Sequence, residues 1–592
     1  MDDLLKNTFD NEASYYDETT QYLLLDYEFI LDQVVDKIGF SKYEYFRVLD
    51  LGCGTGNLIQ KIRNKYPNAT IYALDFSKEM IQIAQSKNIR DIHYIVANMF
   101  DINDINIPYL DIAVSSFVFH NFQSIDEHRN IFSLINEHLA VGGRLILADL
   151  IELGDCFQKK ETQKALVDLM RNNNLSDDDI VKWLGILEIE DSPLTIHEEI
   201  KLFNQSGYET IDTNTYSNNN AIFMAYKKLN IIQLKAELLL SGVRYNDYVK
   251  NLYLIQNPQN VWKTGNNGIF LTINNLDVLI GINHKSNHNS AYKIICEKDE
   301  LFLTKHGIRL KVDIRPLEFP KWFFTKILEL NNKSFSEYFV YEGNGFLHLA
   351  YKKCSFSQKE KCKFCSTQRG EGKSEQNLKE ICIALSSVLP YIPDNIHICL
   401  GGGTYIPFED NVEYFSVIIK HIRKYNTKIP IWVEMVPPKL NDIERLINDG
   451  ATSFGFNIEI WNDDLRYKIC PGKSQISKEH YIEACKFVLD KLGYNSVGSC
   501  LIVGLDSYES TKYAIDVLIK AGIEPCILPY KIYNRTNLDG YEVSCSYGYD
   551  FYRLSEYASQ TAKNKGIIFS ENQGCLKCTC CTIMHDFQNI LL

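Results

Sequence analysis

The chain has 592 residues, of which 45% are apolar and 23% charged, with a formal net charge of −13 and 17 cysteines. At roughly 150 residues per domain this length calls for three or four units, not one. The acidic balance argues against broad nucleic-acid binding, which needs clustered Lys and Arg for phosphate, and it favours small-molecule substrates. No apolar run reaches the roughly 18 residues a membrane span needs, and the opening "MDDLLKNTFDNEASYYDE" has no apolar signal core. A cytoplasmic chain with reduced thiols is therefore expected, its cysteines serving metal binding or catalysis.

In chain order, residues 1–228 alternate short Val/Ile/Leu-rich runs, "RVLDLGCG", "TIYALDF", "IHYIVANMF", "DIAVSSFVF" and "RLILADL", with helical stretches such as "SKEMIQIAQSKN". That alternation predicts an α/β unit with a mostly parallel sheet covered on both faces, and "AIFMAYKK" reads as its last strand. Residues 229–345 predict a small accessory subdomain, with an amphipathic helix at "IIQLKAELLLSGV" and strands at "GIFLTI", "VLIGINH" and "ELFLTKHGIRLKVDI". From 346 to 570 a second series begins. Its strands are "FLHLAY", "NIHICLGGG", "IPIWVEMVPP", "SFGFNIEIW", "SVGSCLIVGL" and "EPCILPYKI". Six βα repeats predict a partial TIM-type barrel, with functional residues at the carboxyl ends of its strands. Residues 571–592 form a cysteine-rich tail.

The first chemical motif is "VLDLGCGTGNL" at 48–58, a strand, an acidic residue and then Gly52, Gly54 and Gly56. Glycines let the backbone turn and approach a ligand closely, and Asp75 at the end of the next strand is placed for ribose hydroxyls. With "ANMFD", "DIAVSSFVFHNF" and "LAVGGRLILADL" following in order, residues 1–228 resemble the class I S-adenosylmethionine (SAM) methyltransferases. The resemblance implies a Rossmann-like fold. It also implies that Asp50, Gly52 and Gly54 hold the methionine part of SAM and Asp75 the ribose. Asn98, beside Met99, would then hold the adenine edge, and Tyr16 would cover the pocket. His120 and Asn121 fall where acceptor contacts are expected, although a lone His there is as readily structural.

The second motif is "KCSFSQKEKCKFCSTQ", with Cys354, Cys362 and Cys365 spaced C-x7-C-x2-C. Three close thiolates suit three irons of a [4Fe–4S] cluster, leaving one iron open. Zinc, which wants a fourth ligand, stays open on spacing alone. Residues 346–545 resemble the radical SAM superfamily, with Phe364 before the last cysteine and a first gap longer than the usual three residues. The resemblance implies that Gly401, Gly402 and Gly403 bind the SAM amino group and that Glu434 and Glu459 face the barrel mouth. "CPGKS" and "LIVGLD" resemble a branch of the same enzymes. A second SAM site and an electron donor such as flavodoxin or ferredoxin are further implications.

The tail "GCLKCTCC" places Cys575, Cys578, Cys580 and Cys581 within seven residues. Soft thiolates select zinc, copper(I), iron–sulfur clusters or trivalent arsenic. An auxiliary cluster, a zinc knot, a thiophilic substrate site and a tail of spare thiols are all compatible with it. "CLKC" behind a longer-spaced cluster motif looks like the aminocarboxypropyl transferase of arsinothricin biosynthesis. That resemblance implies a bifunctional enzyme. Its radical module would move the 3-amino-3-carboxypropyl group of SAM onto As(III) held by the terminal cysteines, and its methyltransferase would methylate the product. The alternative is a radical SAM and methyltransferase pair modifying a carbon-based natural product or peptide, with an auxiliary cluster on the tail. A thiol-based sensor with vestigial enzyme modules is disfavoured by the intact glycine loops and cysteine triad.

Overall fold

The computed structural model describes residues 9–591, apart from 12, 191, 217–218, 247, 250–267, 282–289, 299, 317–318, 343–345, 350–353, 355, 357–358, 366–376, 394–395, 402, 405–406, 532–537, 539–540, 542, 570–573 and 575–579. The chain divides into two compact units, Met1–Asn230 and Ile231–Leu592.

In the first unit seven strands form one sheet in the order β3-β2-β1-β4-β5-β7-β6. They are β1 (Arg47–Leu51), β2 (Thr70–Asp75), β3 (Ile92–Val96), β4 (Leu110–Ser116), β5 (Leu139–Leu150), β6 (Tyr208–Thr215) and β7 (Asn220–Lys227). The first five are parallel, and β7 runs antiparallel to both β5 and β6. Alternate residues feed two cores. Leu49, Leu51, Leu74 and Ala113 pack with Phe119 and Phe132 on one face, while Val48, Ile71, Ala73, Ile112 and Val114 pack on the other. A sheet buried on both faces needs apolar residues at successive positions, which explains why its strands read as continuous runs. Strand order reverses between β1 and β4, and ligand crevices open at the carboxyl ends of the strands beside such a reversal. This is the Rossmann-like α/β fold expected of the N-terminal region.

The second unit opens with the helix Ile231–Ser241. Small sheets β13-β8-β9 and β10-β11-β12 and the pair β14-β15 follow. These strands are β8 (Gly268–Ile273), β9 (Leu276–Gly281), β10 (Tyr292–Glu297), β11 (Glu300–Lys305), β12 (Ile308–Arg309), β13 (Ile314–Pro316), β14 (Lys326–Ile327) and β15 (Lys333–Ser334). The opening helix is not amphipathic: Ile232 through Leu240 are all buried. Its charged residues are accommodated by pairing, Lys235 with Asp586 at 2.7 Å and Glu237 with Lys305 at 3.3 Å.

The larger sheet of this unit comprises β16 (Phe339–Glu342), β17 (Phe346–Leu349), β18 (His397–Leu400), β19 (Ile431–Glu434), β20 (Ser453–Gly455), β21 (Val497–Val503) and β22 (Glu524–Pro529). Its spatial order is its sequence order. β16 pairs antiparallel with β17, and β17 through β22 are parallel. Helices Leu378–Val388, Phe408–Tyr425, Leu440–Asp449, Lys478–Leu492 and Tyr508–Lys520 lie between successive parallel strands. Among the described residues no helix is long and apolar enough to cross a membrane.

Candidate functional site

At the carboxyl end of β1 the chain turns through Gly52, Gly54 and Gly56, with φ of +70°, +51° and +88°. A Cβ on Gly52 would lie 2.6 Å from a methyl of Val118, so side chains are excluded there on two counts. Asp50 is 1% exposed, and neither of its carboxylate oxygens has a hydrogen-bond partner among the described residues. Burial, then the nearby Asp75, pushes its carboxyl up to about 8. A buried carboxyl without a partner is costly. Asp50 stands two residues before Gly52, and an α-ammonium group there would supply both the missing donors and the missing charge. The residues present therefore fit the methionine end of SAM.

Asp75 is also buried. Its oxygens accept from the amides of Ser77 at 2.9 Å and Gly54 at 2.8 Å. Burial raises its carboxyl to about 6, opposed by these amide bonds. Asn98 caps the turn Met99–Asp104 through a 3.1 Å bond from the Phe100 amide, and Met99 is buried. Tyr16 reaches the glycine loop, its Cε1 3.7 Å from where a Gly54 Cβ would stand. The structure thus gathers Tyr16, Asp50, Gly52, Gly54 and Asp75 around the end of β1.

The next residue holds Tyr16 in place and was not expected. Asp17 accepts from Asn57 at 3.0 Å and from Lys87 at 2.8 Å, and also from the Thr55 hydroxyl. These bonds fasten the helix Tyr16–Leu23 over the loop. The sequence clue was the acidic residue next to the predicted cover residue.

His120 lies beyond the end of β4, and its Nδ1 is 2.5 Å from Asp149 Oδ1 at the end of β5. Asp149 Oδ2 also accepts from the amides of Phe119 at 2.6 Å and His120 at 3.2 Å. A carboxylate so surrounded by donors accepts from Nδ1–H, which leaves Nε2 as the acceptor ring nitrogen, 3.1 Å from Asn121 Nδ2. Asp149 was legible only as part of the apolar run "LILADL".

In the second unit the predicted cysteines follow β17. Cys362 is buried, and Cys354 and Cys365 are half-buried. Cys362 and Cys365 join one cluster with Ile460, Cys470 and Tyr530. Among the described residues, the one group of three metal donors within 4.8 Å of one another is Cys362, Glu459 and Cys470. Of the three predicted ligands only Cys362 belongs to it; neither Cys354 nor Cys365 does. Glu459 takes Lys473 Nζ at 2.8 Å, and Glu434 accepts from Asn457 Nδ2 at 2.8 Å. Gly401 and Gly403 follow β18, and Gly402 lies outside the described residues.

Cys575 and Cys578 also lie outside the described residues. Cys580 is fully buried and packs in a cluster with Cys399 of β18, Trp432 of β19 and Cys526 of β22, against which Cys500 of β21 and Cys581 also pack. Gly574 lies on the Trp432 indole, where a Cβ would come within 2.0 Å of the ring, and its carbonyl is 3.2 Å from His397 Nε2. The tail cysteines that are described therefore sit against strand cysteines, which sequence spacing gave no means of pairing.

Comparison with known proteins bears on the first unit. A family model described as a methyltransferase domain matches residues 48–143. Malonyl-(acyl-carrier protein) O-methyltransferase 2 of Ilyobacter polytropus is 32% identical over 204 residues, 33% of this chain and 69% of that protein. The corresponding enzyme of Bacillus cytotoxicus is 27% identical over 27% of this chain and 56% of its own length. Carboxy-S-adenosyl-L-methionine synthase of Trichodesmium erythraeum is 25% identical over 31% of this chain and 72% of that protein. Strand order, glycine loop and relatives together define a SAM-binding Rossmann-like enzyme unit. Through it, the chain belongs to the class I SAM-dependent methyltransferases.

Proposed function

We propose that the chain is a bifunctional SAM-dependent enzyme, a methyltransferase joined to a radical SAM module that acts on a thiophilic acceptor. For methyl transfer the carrying observation is Asp50, two residues before Gly52, buried and without a hydrogen-bond partner among the described residues. Asp50, Gly52 and Gly54 would hold the amino acid end of SAM, Asp75 the ribose and Asn98 the adenine, under Tyr16. His120, oriented by Asp149, takes the proton of an acceptor that must lose one.

The radical reading is supported by six parallel strands in sequence order, which accord with an open (β/α)6 barrel over 346–570. The cysteine loop follows the first of them, and Glu434 and Glu459 stand at or just beyond the ends of β19 and β20. In this reading Cys354, Cys362 and Cys365 hold a [4Fe–4S] cluster, and Gly401, Gly402, Gly403, Glu434 and Glu459 position a second SAM. When bound, such a cluster supplies the electron that breaks a carbon–sulfur bond of SAM. The support is the softness of the three thiols, which suits iron–sulfur chemistry; of the three, Cys362 alone stands in a donor group among the described residues, with Glu459 and Cys470.

The acceptor reading rests on the packing of Cys580 and Cys581 among strand thiols. Thiolates gathered in an apolar setting suit trivalent arsenic, with Cys575 and Cys578 of the same tail as further donors. Aminocarboxypropyl transfer to As(III) followed by methylation is the reaction this assigns. The test is the fate of SAM after anaerobic reconstitution and dithionite reduction with arsenite. Methylthioadenosine formed only with arsenite supports the assignment. 5′-Deoxyadenosine formed regardless of arsenite favours a carbon substrate with an auxiliary cluster on the tail, and a chain that takes up zinc and no iron overturns the radical reading.

A further inference from the structure

Strands β21 and β22 carry one thiol each at facing positions. Cys500 and Cys526 are register partners in the parallel ladder, so their side chains leave the same face of strands about 4.8 Å apart. The two thiols are in hydrogen-bond contact. Cys526 is 2% exposed and Cys500 is half-buried, so the pair is reached from the side of Cys500. Trp432, Phe270 and the tail residue Cys580 pack in the same cluster.

A buried cysteine often serves only as a small apolar filler. Cys485 in the helix Lys478–Leu492 fits that description, since burial alone pushes its thiol up. Cys500 is tied instead to both carboxylates assigned to the second SAM. Its amide donates to Asn457 Oδ1 at 3.1 Å, and Asn457 Nδ2 donates to Glu434 Oε1 at 2.8 Å. Its carbonyl accepts from the Glu459 amide at 2.8 Å. Glu459 keeps this place with φ of +69°, a left-handed conformation costly for a residue with a side chain. Contact with Cys526, then burial, pushes the Cys500 thiol up, and the nearby Glu434 and Glu459 add to it. Cys500 therefore stays a protonated thiol in the free protein.

We infer that Cys500 and Cys526 form a two-thiol site for one trivalent arsenic, held beside Glu434 and Glu459. This rests on the acceptor reading above, to which it adds donors from the strands. The step balances with arsenous acid, As(OH)3, which is uncharged near neutrality. Two As–O bonds break and two As–S bonds form, the thiol protons leave with the displaced hydroxides as two waters, and arsenic stays trivalent. A divalent cation would have to expel both thiol protons from a buried site, whereas arsenous acid carries them away. Among the described residues no third donor stands within 4.8 Å of both thiols, so one hydroxide remains on the arsenic.

Arsenite binding to the full-length chain, kept anaerobic, tests this. Equilibrium dialysis gives the affinity, and X-ray absorption at one equivalent counts the sulfurs bound to arsenic. Cys500→Ala and Cys526→Ala should each bind about a hundredfold more weakly, because the second thiol of a pair binds intramolecularly, with the sulfur count falling from two to one. Wild-type affinity in either variant would overturn the role of the pair and leave the tail cysteines as the acceptor site. A wild type that binds no arsenite would overturn the pair and the acceptor reading together. If a variant does not fold, iodoacetamide labelling of wild type with mass mapping decides the point. Slower labelling of Cys500 with arsenite than without supports the inference, and equal labelling refutes it.

Discussion

Burial and the neighbouring Asp75 push the Asp50 carboxyl up to about 8, from an ordinary value of 3.8, so the SAM-free protein carries it largely protonated near neutrality. A carboxyl that holds its proton more tightly in the folded state than in the unfolded one favours folding in acid. That contribution is lost as pH rises from about 4 through about 8. Asp50→Asn is therefore expected to stabilise the SAM-free N-terminal unit at pH 8 by on the order of 2 kcal/mol, while abolishing SAM binding there. Thermal unfolding against pH, with and without SAM, measures both. In wild type, SAM binding at this site should release a proton below about pH 8, because the ammonium needs the ionised carboxylate. Calorimetry in buffers of different ionisation heat detects that proton. His120 offers a second measurement that needs no knowledge of the acceptor. Nitrogen-15 shifts of its ring should report one tautomer, protonated at Nδ1, and Asp149→Asn should yield a mixture of the two. An unchanged tautomer in the variant would remove Asp149 from its orienting role.

At the scale of elements, a short helix lies over the glycine loop. Helix Tyr16–Leu23 is held over the glycine loop by the bonds Asp17 takes from Thr55, Asn57 and Lys87. Asp17→Ala should weaken SAM binding about tenfold, the loss of one or two charge-assisted hydrogen bonds, mainly through faster dissociation in stopped-flow displacement. The strands of this unit were legible because five of them are buried on both faces and read as apolar runs. Strand β6, "YETIDTNT", escaped notice for the opposite reason: it is an edge strand with polar residues along its length. Helix Ile231–Ser241 was read as amphipathic because Lys235 and Glu237 look like a solvent face. Their partners Asp586 and Lys305 lie 351 and 68 residues away, and no local pattern encodes such pairs. Asp149 and Cys470 were missed on the same ground, since each acquires its meaning from a residue that only folding brings near.

At the scale of the whole molecule, the residues assigned to methyl transfer fall in the first compact unit and those of the proposed radical site in the second. In the first, the strand-order reversal between β1 and β4 puts the glycine loop and Asp75 at adjacent strand ends. In the second, six parallel strands in sequence order carry the cysteine loop, Glu434 and Glu459 at or near theirs. Because the residues assigned to each site belong to a single unit, loss of one site should leave the other chemically intact. Asp50→Ala is expected to abolish methyl transfer while leaving reductive SAM cleavage near the wild-type rate, and Cys365→Ala to do the reverse. Circular dichroism on each variant guards against general unfolding, and product analysis of the SAM-derived nucleosides separates the reactions. S-Adenosylhomocysteine reports methyl transfer, while methylthioadenosine or 5′-deoxyadenosine reports radical cleavage. Loss of both activities from either substitution in a folded chain would mean that the two sites share machinery. Persistence of cleavage in Cys365→Ala would mean that the cysteine loop is not where the electron enters.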